Sequence, residues 1–459
     1  MKKVIRTISG ITPLAVMTAP LKCPGNCIYC PNQENIPKSY TTTSPVVLRA
    51  KDCDWDGYKQ VKARMKIFNL MGHTTNKIEL IVMGATFSAF PEDYQYKFIK
   101  DCFDGLNGTV SPTLKEAQKL NETSDNRCVT LCLETRPDYC KENNIDNFLD
   151  LGATRIEIGV QIPDNESYKL TNRGHTRQDV IDATQRLKDA GFKVGYHMMI
   201  GLPGSDPEKD LKYFKEIFTN PDFQPDQIKI YPTVVIKGTE LESLYNIGKY
   251  KPYSTKEIID MLVKIKQIVP DHVRIMRVMR DIPKEHIVSE CFFSHLRSEV
   301  KEKLKELNLK CNCIRCREIG HREHDGSEID QSFIKLKRKE YNASGGKEIF
   351  LSYEETKSNS VIALLRMRFP HKPARKEITE KSAIIREIHT YGPQVNINQK
   401  PKTEWQHRGY GKKLMEEAES IAKAAGKNKM IVIAGVGVKK YFIGLGYNYD
   451  GPYVSKKLI

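Results

Sequence analysis

The chain has 459 residues, 39% hydrophobic and 28% charged, enough for two or three domains with proper cores. A formal charge of +16, from 73 Lys and Arg against 57 Asp and Glu, points to a polyanionic partner. Apolar stretches such as IELIVMG and YHMMIG are too short to span a bilayer, so no membrane association is expected and a cytoplasmic location is.

The first feature along the chain is LKCPGNCIYCPN, residues 21–32, with thiols at Cys23, Cys27 and Cys30. Twelve cysteines without a secretory signal argue for metal or redox chemistry over a disulfide framework. Three readings of the trio stay open. A disulfide leaves one thiol over. A zinc site lacks a fourth ligand within the loop. A 4Fe–4S cluster normally takes four cysteines, so three would leave one iron for an outside ligand.

From about residue 75 to 280, short apolar strands alternate with amphipathic helical patterns. Strands are predicted at 78–84, 129–135, 155–161, 193–201, 227–233 and 273–281. DVIDATQRLKDAG predicts a helix capped by Asp179 and stopped at Gly191. The alternation predicts an α/β fold with a parallel sheet, its six units forming a partial TIM-like barrel. Loops at the C-terminal ends of barrel strands carry chemistry, which is where Glu134, Gln161, His197 and Lys229 are expected.

The pattern changes after Asp281. CNCIRCREIG sets Cys311, Cys313 and Cys316 at zinc spacing without a local fourth partner. His286, Cys291, His295 and His321 are the candidates, and His286 is preferred because it directly follows the last barrel strand. IKLKRKEYNASGGKEIFLSYEE then reads as two strands around a turn, and VIALLRMRF and SAIIREIHTYG as two more. WQHRGYGKKLMEEAESIAKAAG is a helix entered through a glycine turn, a place where backbone N–H groups and the helix's positive end bind anions. The expected division is 1–285 for the barrel, 286–330 for a zinc-binding linker and 331–459 for a second α+β domain.

CxxxCxxC, with Tyr29 just before the last cysteine, resembles the radical S-adenosylmethionine enzymes. The resemblance implies that S-adenosylmethionine chelates the open iron of a 4Fe–4S cluster and is cleaved to a 5′-deoxyadenosyl radical. The turn through Gln406, Gly409 and Gly411 resembles that of GNAT-type acetyltransferases and implies acyl-coenzyme A binding. The pairing, with IVMGATF, ETRPDYC, RIEIGVQ, TNRGHT, GFKVGYHMM, KIYPT and RDIP, resembles the catalytic subunit of the Elongator complex over nearly the whole chain.

That resemblance implies a tRNA carboxymethyluridine synthase acting at C5 of the wobble uridine, in the anticodon stem–loop, with acetyl-CoA as substrate. It implies a 4Fe–4S cluster and S-adenosylmethionine, beside the zinc expected at Cys311, Cys313 and Cys316, and Elongator-like subunits or self-association as partners. Acyl-CoA contacts carry over to Lys77, Glu387, Ile388, His389, Thr390, Tyr410, Gly411, Lys412 and Phe442, and catalysis to Tyr441 and Lys77. Phe442 stands where many relatives have a tyrosine, so a phenol is lost there. Radical chemistry needs reacting atoms within roughly 3–3.5 Å, so the second domain is expected to face the barrel mouth. The alternative function is a protein lysine acetyltransferase with the barrel as scaffold.

Overall fold

Strands covered on both faces are rich in apolar residues, and so are those of the first half, although Glu79, Glu134, Arg155, Glu157 and Lys229 interrupt them as paired charges. In the computed structural model, which describes residues 7–290, 295–397 and 399–458, they are β1 (Thr12–Met17), β2 (Lys77–Met83), β3 (Arg127–Thr135), β4 (Arg155–Gln161), β5 (Lys193–Ile200), β6 (Gln227–Pro232) and β7 (Arg274–Arg277). They pair in chain order, each parallel to the next, as an open half-barrel. β1 adds one strand to the six predicted. Its TPLAVM sequence carries Pro13, which argues against a central strand, but β1 lies at the sheet edge where proline is tolerated.

Helices cover the outer face, and their apolar stripes meet Leu14, Val82, Leu133, Ile156 and Ile228 in one core. The helix Arg177–Asp189 begins at Thr176, one turn before the expected cap. Thr176 and Asp179 form a reciprocal capping box, so Asp179 supports the cap from inside the helix.

The second sheet contains β8 (Ile334–Ala343), β9 (Gly346–Glu355), β10 (Ser360–Phe369), β11 (Ser382–Thr390), β12 (Lys429–Val432), β13 (Asn448–Asp450) and β14 (Tyr453–Lys457). Their order is β13-β14-β12-β11-β10-β9-β8, antiparallel except for β11 with β12. The β8–β9 hairpin turns on Ser344 and Gly345, both at positive φ (46° and 72°), as a two-residue turn requires. β11 pairs with β12 only over Ser382–Ile385, then runs on to Thr390 paired with β10 alone, so β11 and β12 part. The helix Tyr410–Ala424 buries Leu414, Met415, Ala418, Ile421 and Ala422 against this sheet.

The second sheet lies against the N-terminal ends of the barrel strands, which form the barrel floor. Ahead of β1, the carbonyls of Ser9 and Gly10 accept from His389 Nε2 (2.7 Å) and Gln406 Nε2 (3.0 Å). Lys77, the first residue of β2, reaches Gln406, and Lys193, the first of β5, reaches Glu387 at 2.7 Å. Gly435 closes on the Val129 carbonyl of β3, where a side chain would collide. Ahead of β6 and β7, Asp226 takes Arg386 at 2.7 and 2.8 Å, and the His272 carbonyl takes Arg366 at 2.5 Å. This overturns the expectation that the second domain faces the mouth. The charged starts of the strands build the interface, and of these the sequence reading singled out Lys77 alone.

Candidate active site at the two ends of the barrel

The C-terminal strand ends open on a cavity of about 520 Å³. Cys23, Cys27 and Cys30 line one wall of it; Thr86, Glu134, Arg136, Gln161, His197, Tyr231 and Arg280 line the others. The cysteine loop is held by its backbone, with Ile28 N donating to Thr171 O and Cys30 N to Cys27 O. Lys38 Nζ donates to Gly25 O at 2.6 Å. Cys23 Sγ sits 3.6 Å from Thr86 Oγ1.

Among the described residues, three buried donors beside these thiols have no hydrogen-bond partner: Tyr29 Oη, Arg136 Nη1 and Arg173 Nε. Burial would raise the Cys27 thiol, but Arg173, 3.4 Å away, overcomes it and holds Cys27 below its ordinary value. Burial and the neighbouring Cys27 push Cys30 up to about 11. Such buried orphans are uncommon, and each marks a place where a further acceptor is wanted.

Below the mouth the barrel interior is charged, unlike the packed aliphatic layers usual in barrels. Glu157 accepts from His197 Nε2 at 2.7 Å and pairs with Lys229 and with Arg155. Lys229 Nζ also reaches Glu134 at 2.7 Å, and Arg155 reaches Glu79. Burial alone would raise the Glu157 carboxyl; Lys229 and Arg155 hold it well below the carboxylate range. Oxygen and nitrogen atoms of Glu134, Glu157 and His197 lie within 4.8 Å of one another. Lys229 already supplies the cation there, so the group needs no metal. Glu134 and Gln161 do lie at the C-terminal ends of their strands, whereas His197 and Lys229 are paired neighbours one layer deeper.

At the floor, the glycine turn enters the helix Tyr410–Ala424 through Gly409, at φ +86°. A side chain at Gly411 would come within 3.1 Å of the Tyr441 hydroxyl and 3.8 Å of Ile388 Cδ1. Lys77 Nζ lies 2.8 Å from Gln406 Oε1 and 3.1 Å from His407 Nε2. Burial without a carboxylate partner lowers the Lys77 ammonium to about 8. Thr390 O accepts from Gln406, and Tyr410 packs on Tyr353 with ring centroids 5.1 Å apart. Lys412 is exposed, and Tyr441 is 44% exposed. Lys77, Ile388, Thr390, Tyr410, Gly411, Lys412 and Tyr441 thus gather around one turn. Glu387 is spent on Lys193 and Arg366, and the Phe442 ring is 3% exposed inside the sheet–helix core.

Cys311, Cys313 and Cys316 have their sulfurs within 4.8 Å of one another, the spacing of a single-ion site. Lys266 Nζ stands 3.7 Å from Cys316 Sγ. His286 is not among them: its Nε2 lies 2.9 Å from Thr43 Oγ1. The reason is topological. Ile314 N binds Val273 O at the start of β7, on the floor side, while His286 follows the end of β7, on the mouth side. His321 is 2.9 Å from Glu318, His295 is exposed, and Cys291 lies outside the described residues.

Sequence reasoning missed Arg136 and Arg173 as parts of the site. Both lie in quoted segments, ETRPDYC and TNRGHT, where they follow the ends of β3 and β4, and that position on the chemistry-bearing side of the barrel was the available signal. Residues 20–216 match the Radical SAM superfamily and residues 225–306 the Radical_SAM C-terminal domain. The chain is 50% identical to the tRNA uridine(34) acetyltransferase of Methanocaldococcus jannaschii, over 100% of this chain and 86% of that protein. It is 42% identical to Elongator complex protein 3 of Schizosaccharomyces pombe, over 99% and 86%. The solved structure of the archaeal Methanocaldococcus infernus Elp3 with its N-terminus deleted matches at a TM-score of 0.89 and 46% identity, covering 98% of this chain and 100% of that one. The chain belongs to the family of tRNA uridine(34) acetyltransferases and Elongator complex protein 3.

Proposed function

We propose that the chain is a radical S-adenosylmethionine enzyme that modifies C5 of the wobble uridine of tRNA, using acetyl-CoA to deliver a carboxymethyl group. The observation that carries the reading is the mouth cavity, with three thiols and three unpartnered buried donors on one side. A 4Fe–4S cluster held by Cys23, Cys27 and Cys30 fits there, since its sulfides are the acceptors that Tyr29, Arg136 and Arg173 lack. What the cluster brings when bound is one low-potential electron for cleaving S-adenosylmethionine. The chain itself supplies the berth. Thr86 and Gln161 offer polar atoms, and Lys229 and His197 fix the Glu134 and Glu157 carboxylates at the base of the cavity.

The barrel comprises 1–285, the linker 286–330, and the acetyltransferase domain 331–459. Acetyl-CoA binds with its pyrophosphate on the Gly409–Gly411 turn, where backbone N–H groups and the helix dipole favour an anion. Lys77 then gains the negative partner it lacks, which restores its ammonium. Tyr441 serves at the thioester end. The glycine turn and the thiols stand at opposite ends of β2, about 20 Å apart at ~3.3 Å per residue over seven residues. The acyl unit therefore has to travel from the floor to the mouth before carbon meets carbon. Cys311, Cys313 and Cys316 hold a structural zinc. Lys38, Arg49, Arg277 and Arg280 around the cavity suit the phosphates of an anticodon stem–loop.

The test is anaerobic reconstitution with iron and sulfide, followed by tRNA, acetyl-CoA and S-adenosylmethionine, with nucleoside mass spectrometry. A carboxymethyl increment on uridine that needs all three reagents is the expected result. Acetylated lysine on peptides without S-adenosylmethionine would instead support the scaffold alternative, on which the unpartnered donors at the mouth have no purpose.

A further inference from the structure

Arg173 is the feature of the mouth that structural economy does not explain. Its side chain is 8% exposed, yet no carboxylate oxygen lies within 4.0 Å of it among the described residues. Nη2 donates to Gly159 O at 2.6 Å, Nη1 donates to Cys27 Sγ at 3.4 Å, and Nε has no partner. Gly159 leaves the space the guanidinium occupies, since a side chain there would collide with it. A buried cation without an anion is expensive, and such groups are ordinarily paired. Beside it the rule holds: Arg136, a few ångströms from the same thiols, is answered by Asp138 through two bonds of 2.9 Å. Among the described residues, the one anionic candidate in contact with Arg173 is Cys27, with whatever Cys27 holds.

We propose that Arg173 is a positioning residue that sets the reduction potential of the metal centre bound at Cys23, Cys27 and Cys30. It would act by placing one uncompensated positive charge, and one N–H···S hydrogen bond, on the Cys27 side. The inference rests on the cluster assignment made under the proposed function. The physics is direct. Reduction adds one electron to the centre, and in a water-poor site a fixed cation stabilises the more negative form. Charge near a cluster and hydrogen bonds to its sulfurs are two of the levers that set cluster potentials. Arg136 carries the same group with its charge answered by Asp138, so its pull on Cys27 is the weaker of the two.

The test uses the full chain reconstituted anaerobically, with iron counted and the reduced fraction read by electron paramagnetic resonance at fixed potentials. The parent is expected to load four irons; a parent that loads none fails the cluster assignment and leaves the tuning role out of consideration with it. In a loading parent, Arg173→Gln is expected to load iron and to show a tenfold lower reduced-to-oxidised ratio at the parent's midpoint, equal to about 59 mV for a one-electron couple. Arg136→Gln is expected to stay within threefold. Arg173→Gln with four irons and the parent's ratio overturns the proposal, as does an equal shift in Arg136→Gln. Should Arg173→Gln not load, Arg173→Lys decides. It keeps the charge without the fork; loading with a ratio within threefold of the parent supports tuning by charge, and failure to load, or a larger fall, reduces Arg173 to a structural part.

Discussion

The floor and the mouth of the barrel are built from the same seven strands and treat buried charge in opposite ways. At the floor, Lys188, Asp226, Arg386, Glu348, Arg368 and Asp189 form one buried network with contacts from 2.6 to 3.7 Å. Two domains meet across it, and every member has an opposite charge beside it. At the mouth, Arg173 has none, and Tyr29 and Arg136 keep donors without acceptors. A satisfied network holds a structure together; an unsatisfied one marks the place where something else binds. The floor also keeps an orphaned donor at Arg366 Nη1, but on an arginine that has Asp226 and Glu387 beside it; the unanswered charge of Arg173 is what separates site from interface.

The largest effect expected from breaking the comparison is at the mouth. Replacing Cys23, Cys27 and Cys30 together by alanine should abolish bound iron and S-adenosylmethionine cleavage while thermal unfolding stays close to the parent's. Four irons in the triple variant would contradict the assignment. At the floor the effect falls on stability: Asp226→Ala leaves Arg386 and Lys188 to share Glu348 and should cost about 3–5 kcal/mol in denaturant unfolding, as for other broken buried pairs. A loss under about 1 kcal/mol would show that the network is not what joins the domains.

Two smaller effects sharpen the floor, both through Lys77. Its ammonium is lowered to about 8 by burial. The folded value lies below the unfolded one, so the unfolded chain binds more protons between about pH 8 and 10.5, and stability contributed by Lys77 rises with pH through that window. Acetyl-CoA affinity should move the other way, falling as pH rises through about 8, because the pyrophosphate needs the charged form. Lys77→Met should bind acetyl-CoA about tenfold more weakly and lose that pH dependence, both measurable by calorimetry. A pH profile the same as the parent's would remove Lys77 from the site.

The smallest effect is at Phe442. Restoring the phenol with Phe442→Tyr puts a hydroxyl into a core where the ring is 3% exposed, and should cost about 1–3 kcal/mol with no gain in acetyl-CoA turnover. A gain in turnover would show that the ring reaches the turn.

The parallel sheet, the glycine turn and both cysteine groups are legible in the sequence because each is local: apolar strands, a helix entry and ligand spacings are written over short stretches of chain. β1 is not, since Pro13 obscures a strand that only its edge position permits. Closeness in sequence points to His286 as the fourth partner of Cys311, Cys313 and Cys316, but a strand separates the floor from the mouth, and β7 carries His286 to the wrong end. The facing of the domains is hidden for a related reason. Lys77 and Asp226 stand just ahead of predicted strands and Lys193 opens one, and only the folded chain shows them as the surface on which the second sheet is seated.

The central claim is that metal chemistry belongs to the mouth and acyl-CoA binding to the floor. Its most direct test is calorimetric titration of acetyl-CoA into the triple alanine variant of Cys23, Cys27 and Cys30, without iron. An affinity within twofold of the parent's is predicted, because the Gly409–Gly411 turn and Lys77 lie at the far end of β2. A tenfold loss would contradict the account and place both ligands in one site.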